Sequence, residues 1–141
     1  MVVEVSAPSS DHTSTGRQTL PAEVLRGEAR DGDPADVTGT LAIERADTIV
    51  RRTVGLMGRR TLPEATGLLI TPCSSVHTCF MRFPIDVVYL DRDQRVVKVV
   101  PALKPWRMSL GGRRAKATLE LAAGEAARLG LEPGARLRIS A

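Results

Sequence analysis

The sequence predicts a mainly β protein, a compact antiparallel sandwich or barrel of jelly-roll-like shape with one amphipathic helix and one short helix. After residue 38 the chain consists mostly of short apolar and β-branched runs separated by Pro, Gly and Asp, which is typical of strands joined by turns. Only one stretch has a clear helical period of apolar residues. About seven short strands with one substantial helix are typical of sandwiches and barrels.

The first 38 residues are expected to form a largely disordered acidic tail. Residues 6–38 are rich in Ser, Thr, Pro, Gly and Asp and show no sustained apolar period, so they lack the apolar surface that a core requires. A short helix over residues 22–26 and an edge strand over residues 1–5 are alternatives within this tail. Residues 39–141 are predicted to be a single β domain, in keeping with a chain of 141 residues that is 43% hydrophobic.

A strand and the amphipathic helix open the predicted domain. In "GTLAIERA" Leu41 and Ile43 alternate with polar neighbours, which is the period of a half-buried strand. Asp47 is a suitable N-cap for a helix over residues 48–57, whose apolar residues fall on one face, and Gly58 is placed to end it.

A β-meander is predicted next. Its four apolar runs cover residues 68–71, 76–81, 85–90 and 95–100. The polar sequence "DRDQ" joins the last two runs as a turn, while Pro84 marks a corner because proline cannot donate to a ladder.

A basic loop and the C-terminal elements follow. Residues 101–116 contain five cationic side chains and no acidic one, and loops of this length are often functional. Alternation of Ala117, Leu119 and Leu121 predicts a strand, "AAGEAARLG" predicts the short helix, and "LEPGARLRI" predicts a turn and a last strand with Leu137 and Ile139 inward.

Composition argues against several classes of protein. No apolar run approaches the length needed to cross a bilayer, and the N-terminus lacks the features of a secretory signal, so a cytoplasmic location is expected. Two His and two Cys do not provide a recognisable metal site, and no cofactor is expected. Cys73 and Cys79 are expected to stay reduced; a bridge between them in an oxidising setting is the alternative.

The charge is unevenly distributed along the chain. Residues 1–40 hold three Arg against seven acidic residues, whereas the rest holds 17 basic against 9 acidic residues. Such a basic body favours anionic partners. Specific nucleic-acid binding is not expected, because the chain has only four aromatic residues and most of them belong to apolar runs.

The order and spacing of several short motifs resemble a known family. These are "RRTVGLMGRRTLPEATGLLI", then "HTCFMRFPIDVVYLD", a Pro-rich loop with Gly-Gly, and "LELAAGEAARLGLEPGARL". In this order, from about Gly39 to the C-terminus, they resemble the bacterial and archaeal family called domain of unknown function 192. The resemblance implies a compact, mostly antiparallel β domain with a helix packed against it, and it implies no established reaction, cofactor or ligand. Arg82-Phe83-Pro84 is shorter than the connection common in the family. Many relatives carry an export signal, and we expect none for this chain.

The stretch "HTCFMRFPID" suggests two interpretations. In a hydrolase-type enzyme His77 would act as general base, Asp86 would orient it, and Cys79 or Ser75 would be the nucleophile. On a regular strand His77 and Cys79 share a face. In the structural interpretation, which we prefer, Cys79 packs in the core, His77 caps a strand end, and Asp86 accepts backbone hydrogen bonds from the turn after Pro84.

A ligand site is predicted where the basic loop meets the strand of His77. Trp106 offers an apolar face and a hydrogen-bond donor in an irregular loop. The polar groups expected beside it are His77, Arg82, Arg107 and Arg113, which together would form an anion-binding pocket at the mouth of the barrel. The sequence therefore favours a non-catalytic, monomeric binding module for a small anion or a peptide. The alternatives are a hydrolase using His77 and Asp86, or a non-specific binder of nucleic acid or acidic surfaces through residues 51–60 and 104–116.

Overall fold

The computed structural model describes residues 19–27, 36–46, 62–79 and 81–140. In chain order the elements are β1 (Thr19–Arg26), β2 (Asp36–Ala46), β3 (Thr66–Ile70), β4 (Ser75–His77), β5 (Ile85–Leu90), β6 (Val96–Leu103), β7 (Met108–Leu110), β8 (Ala117–Ala122), α1 (Glu125–Leu129) and β9 (Arg136–Ile139). The mainly β class is confirmed.

The strands form one large and one small sheet. The large sheet has seven strands in the order β6-β5-β8-β3-β2-β1-β9, and β4 pairs with β7 in a separate two-stranded ribbon. All neighbours are antiparallel except β2 and β3, which are parallel, so the large sheet is mixed. A parallel pair requires a long crossover connection. The helix predicted over residues 48–57 falls within this connection, outside the described residues.

The prediction for the N-terminal segment is wrong where the structure describes it. Residues 19–26 form β1, which pairs with β2 on one side and with β9 on the other, and β2 already begins at Asp36. The helix predicted over residues 22–26 is therefore a strand, because Ala22 and Val24 enter the core as alternate residues. The strand considered for residues 1–5 lies outside the described residues.

The large sheet curls until its two edges meet at one end. The amide of Val96 donates to the Ala135 carbonyl (2.8 Å), and the amide of Gly134 donates to the Val96 carbonyl (2.9 Å). The amide of Leu137 likewise donates to the Gln94 carbonyl (2.9 Å). Since these contacts join only residues 94–96 to residues 134–137, the sheet is barrel-like but not a closed barrel.

Apolar side chains are buried on both faces of the large sheet. The inner core includes Val24, Ile43, Val88, Leu119, Leu121 and Leu137 and is covered by Ala126 and Leu129 of α1. The outer core includes Leu68, Ile70, Val76, Met81, Ile85, Val87 and Tyr89. All six residues of β5 are buried, because this strand lies between the inner core and the β4–β7 ribbon.

The other predicted elements are found with altered lengths. The strand predicted over residues 76–81 ends at His77, and the basic loop contains β7. The short C-terminal helix is confirmed as α1, which ends at Gly130 in the left-handed conformation (φ 77°), where glycine has no steric penalty. Leu137 of the last strand is buried as predicted.

Candidate functional site

Asp86 is a buried carboxylate that connects three segments of the chain. Its exposure is 1%. Oδ1 accepts a hydrogen bond from the amide of Ala102 (2.8 Å), and Oδ2 accepts from the amides of Gly124 (3.0 Å) and Ala126 (2.9 Å). The carboxylate therefore provides hydrogen-bond acceptors both for a backbone amide of β6 and for backbone amides at the start of α1. The predicted structural role agrees with this geometry, although the donors are distant in sequence rather than in the turn after Pro84.

Asp86 and His77 lie on opposite faces of the large sheet. Asp86 pairs with Leu121 across β5 and β8 and shares the face of Val88, which belongs to the inner core. His77 is an exposed residue of the ribbon, whose buried residue Val76 packs on the outer core. The sheet therefore separates the imidazole from the carboxylate, and the structure does not bring the general base of the hydrolase interpretation together with the carboxylate that would orient it.

The ribbon presents alternate residues to the sheet and to solvent. Its pairs are Ser75 with Leu110, Val76 with Ser109, and His77 with Met108. Val76 and Ser109 are buried, while the other four residues are exposed. At one end a Cβ on Gly111 would lie 2.4 Å from the ring of Tyr89, so glycine is required for the ribbon to pack this closely on the sheet.

Thr78 fixes the segment containing Trp106 beside the end of β4. Its hydroxyl donates to the Lys104 carbonyl (2.6 Å) and accepts from the amide of Arg107 (2.8 Å). Its backbone amide donates to the Arg107 carbonyl (2.8 Å), and its carbonyl accepts from the amide of Trp106 (3.0 Å). Thr78 is fully buried. These four bonds hold Trp106 in a left-handed conformation (φ 61°) next to His77.

Three large apolar side chains are exposed on and beside the ribbon. Trp106 is 58% exposed, Met108 73% and Leu110 61%. Met108 and Leu110 lie on the solvent side of β7, opposite His77 and Ser75. We call Ser75, His77, Trp106, Met108 and Leu110 the ribbon face. Large apolar side chains exposed close together in sequence suggest an interaction surface.

Only part of the predicted ligand set converges on the ribbon face. His77, Trp106 and Arg107 lie together at the Thr78 end. Arg113 follows Gly111, beyond the opposite end of β7, and Arg82 is an exposed residue of the bend before β5. The structure gives no contact that would bring either arginine to Trp106.

Sequence reasoning missed two residues of the ribbon face. The predicted basic loop includes Met108 and Leu110, although their alternation with Ser109 is the period of a strand. A three-residue strand between Pro105 and Gly111 gives too short a pattern to be distinguished from a turn.

The chain around the ribbon carries charge of one sign. Residues 94–119 contain seven Lys or Arg and no Asp or Glu. Lys98 of β6 donates from Nζ to the Leu110 carbonyl (2.7 Å), which places its charge at the edge of β7. Arg114 lies 3.8 Å from an Asp91 oxygen and is 78% exposed, so that contact neutralises little of its field. The charged residues that flank β7 in sequence therefore favour an anionic partner.

Polar groups also lie between the ribbon and the sheet, around Tyr89. Burial raises the pKa of Tyr89, and the nearby Cys73 and Glu120 raise it further, while the Ser109 side chain acts in the opposite direction. The Thr118 hydroxyl donates to the Cys73 carbonyl (3.1 Å). The raised pKa keeps the phenol neutral, and the hydrogen bond from Thr118 ties the chain before β4 to β8.

The structure also bears on the metal, thiol and membrane expectations. Within residues 19–27, 36–46, 62–79 and 81–140, no three His, Cys, Asp or Glu side chains lie close enough to hold a metal ion. Cys73 and Cys79 are free thiols, half-buried at either side of β4. No helix in this part of the chain is long and apolar enough to span a bilayer.

Solved structures share the fold. A protein of Sinorhizobium meliloti 1021, described as a candidate transcription regulator, superposes with a TM-score of 0.75 at 20% identity over 89% of this chain and 97% of its own. A protein of unknown function from Novosphingobium aromaticivorans superposes with a TM-score of 0.72 at 24% identity over 94% of both chains. At these identities the likeness shows a common fold and nothing about activity.

Sequence relatives identify the family. The UPF0127 protein PF1050 of Pyrococcus furiosus is 35% identical over 102 residues, which cover 69% of this chain and 85% of that protein. The UPF0127 protein PH1112 of Pyrococcus horikoshii is 38% identical over 80 residues, covering 53% and 67%. The family model described as "Uncharacterized ACR" matches residues 33–139. The chain therefore belongs to the family called domain of unknown function 192, for which no specific function is evident.

Proposed function

We propose that this protein is a non-catalytic binding module whose site is the ribbon face. The observation that carries the proposal is the exposure of Trp106, Met108 and Leu110 in a segment whose charged residues are all cationic. Apolar side chains supply affinity when a partner covers them, and the surrounding cations select an anionic partner.

A peptide fits this site better than a small anion does. Sites for small molecules are concave and enclose most of the ligand. Trp106 and Met108 are more than half exposed, and Arg113 and Arg82 do not converge beside them. An open surface of this kind suits a partner that lies along it, with acidic side chains near Lys98 and Arg107.

The intrinsic fluorescence of Trp106 tests the proposal directly, because it is the single Trp of the chain. A short synthetic peptide of alternating Glu and Val should give a saturable blue shift that weakens as salt is added. A peptide of alternating Lys and Val should give none, and inorganic phosphate serves as the small-anion probe. A response to phosphate but not to the acidic peptide would contradict the choice of a peptide.

A matched pair of variants separates the ribbon face from general surface stickiness. Met108→Ser should weaken binding of the acidic peptide roughly tenfold, since it removes an apolar side chain worth about 1.5 kcal/mol or more when covered. Val37→Ser changes an exposed apolar residue of β2 (43% exposed) and should leave binding unchanged. Equal effects of the two substitutions would refute the site.

We place this activity in the cytoplasm and on a monomer. The free thiols of Cys73 and Cys79 support a reducing compartment, where thiols persist. Cell fractionation of the tagged protein and sedimentation equilibrium of the purified protein test these two points.

A further inference from the structure

We infer that the partner is an extended acidic peptide that adds to the outer edge of β7 as a third strand of the ribbon. This inference rests on the proposed function and concerns how that surface binds. Strand addition at a free sheet edge uses main-chain hydrogen bonds for affinity and alternate side chains for specificity. The edge of β7 has the features that this mode requires.

The register of the ribbon shows which backbone groups of β7 are unused. At one end the Thr78 amide donates to the Arg107 carbonyl, and at the other the Gly111 amide donates to the Ser74 carbonyl. Hydrogen-bonded and non-hydrogen-bonded pairs alternate along an antiparallel ladder. Val76 and Ser109 are therefore a hydrogen-bonded pair, whereas the pairs made by Met108 and Leu110 are not. The backbone groups of these last two residues point away from β4.

This outward edge is open to a peptide. Within the described part of the chain, the amides of Met108 and Leu110 make no hydrogen bond outside the ribbon ladder, and the ladder geometry turns them away from β4. The Leu110 carbonyl accepts from Lys98 Nζ, a flexible donor that a peptide amide can replace. A two-stranded ribbon is the smallest of sheets and gains most from a third strand.

The side chains along this edge define the chemistry of the incoming strand. Residues of the peptide on the solvent side would lie beside Met108 and Leu110, which favours apolar side chains there. The charges within reach are Lys98, Lys104 and Arg107, and residues 94–119 contain no acid to compete for them. At the alternate positions of the peptide, acidic side chains therefore stabilise the complex. The expected partner alternates acidic and apolar residues.

Other strand edges of the described structure are less suited to addition. β6 carries Pro101, which lacks an amide, and its pairing with β5 is interrupted by two register shifts. The start of β9 is already bonded to the chain before β6. The outer edge of β4 has its Ser75 carbonyl engaged by the Cys73 thiol (3.0 Å), and its exposed side chains are polar.

Amide hydrogen exchange of the full-length protein with the Glu-Val peptide distinguishes strand addition from other binding. In the free protein the Ser109 amide should be protected, while those of Met108 and Leu110 exchange readily. Saturating peptide should slow exchange at Met108 and Leu110 by at least tenfold. If the fluorescence of Trp106 saturates while both amides keep their exchange rates, strand addition is refuted and the proposed function survives. If the fluorescence does not respond, the proposed function itself fails.

Backbone methylation of the peptide provides a second test. Amides of alternate residues in an extended peptide point to opposite edges. Methylating the amides of all Glu residues and, separately, of all Val residues should therefore abolish binding in one peptide and preserve it in the other. Equal behaviour of the two methylated peptides would contradict the inference.

Charge reversal and self-association complete the test. Lys98→Glu should weaken the acidic peptide roughly fivefold, whereas Arg136→Glu makes the same change in net charge on β9 and should have little effect. Equal weakening by both would show that net charge alone attracts the peptide. Protection of the Met108 and Leu110 amides without peptide, together with dimers in sedimentation equilibrium, would mean that a second copy of the chain occupies the edge, and would overturn the inference.

Discussion

Replacing Asp86 by Asn should severely destabilise the folded protein itself, and this effect should not require a ligand. The carboxylate accepts hydrogen bonds from the amides of Ala102, Gly124 and Ala126. An amide side chain keeps one acceptor oxygen and turns an NH2 group towards at least one of these donors. One buried backbone amide then loses its partner and faces another donor.

The magnitude follows from the number of bonds and their burial. A hydrogen bond to a charged group contributes about 1.5 to 3 kcal/mol, and an unsatisfied buried donor costs about 1 to 3 kcal/mol. The lower desolvation cost of a neutral side chain offsets part of this loss. We expect Asp86→Asn to reduce the free energy of unfolding by about 2 to 4 kcal/mol, a large share of the stability of a typical domain.

Urea unfolding followed by circular dichroism measures this change, and Asp91→Asn is the matched control. Asp91 also accepts two backbone amides, from Asp93 (2.8 Å) and Arg95 (3.0 Å), but in a polar turn. The control should lose less than about 1 kcal/mol. An Asp86→Asn protein that unfolds at the wild-type urea concentration yet no longer binds the acidic peptide would refute the structural role of Asp86.

Two further predictions concern Glu125 and Thr78. Hydrogen bonding from Arg128 lowers the pKa of Glu125, so its stabilising effect is present above the ordinary carboxyl pKa and is lost as the pH falls. The difference in unfolding free energy between wild type and Glu125→Gln should therefore shrink in urea titrations below about pH 4; a constant difference would contradict this. Thr78→Val removes a buried hydroxyl that makes two backbone hydrogen bonds and should cost about 2 to 3 kcal/mol. Thr78→Ser keeps a hydroxyl and should retain most of the stability. If the amide of Arg107 exchanges faster in the Val variant but not in the Ser variant, the effect is located at this hydrogen bond.

Elements with long, regular patterns were predictable from sequence. β5 and β8 have continuous or alternating apolar residues, and α1 is followed by Gly130 where a helix ends. In these segments local preference and tertiary environment agree. The order of the motifs along the chain also indicates the family, and the family model that matches residues 33–139 confirms this resemblance.

Elements that depend on distant partners were not predictable. β1 is a short apolar run that contains Pro21 and follows a polar stretch of sequence, and it is a strand because β2 and β9 pair with it on both sides. The parallel pairing of β2 with β3 leaves no local signal in either strand. The sequence around Asp86 likewise does not indicate its hydrogen-bond partners, because the amide donors lie 16, 38 and 40 residues away in sequence. Such contacts are properties of the folded chain.

The position of β8 between β5 and β3 has a consequence for the order of folding. Until β8 has been synthesised, β3 and β5 each lack the neighbour that joins them, and β1 still awaits β9. A nascent chain that has reached β7 therefore holds three separate groups of strands with exposed edges: β1 to β3, β5 with β6, and β4 with β7. Because these pairings close long loops, we expect folding on the timescale of milliseconds to seconds rather than microseconds. Assembly of the large sheet therefore waits for β8, and until then unpaired strand edges are open to aggregation.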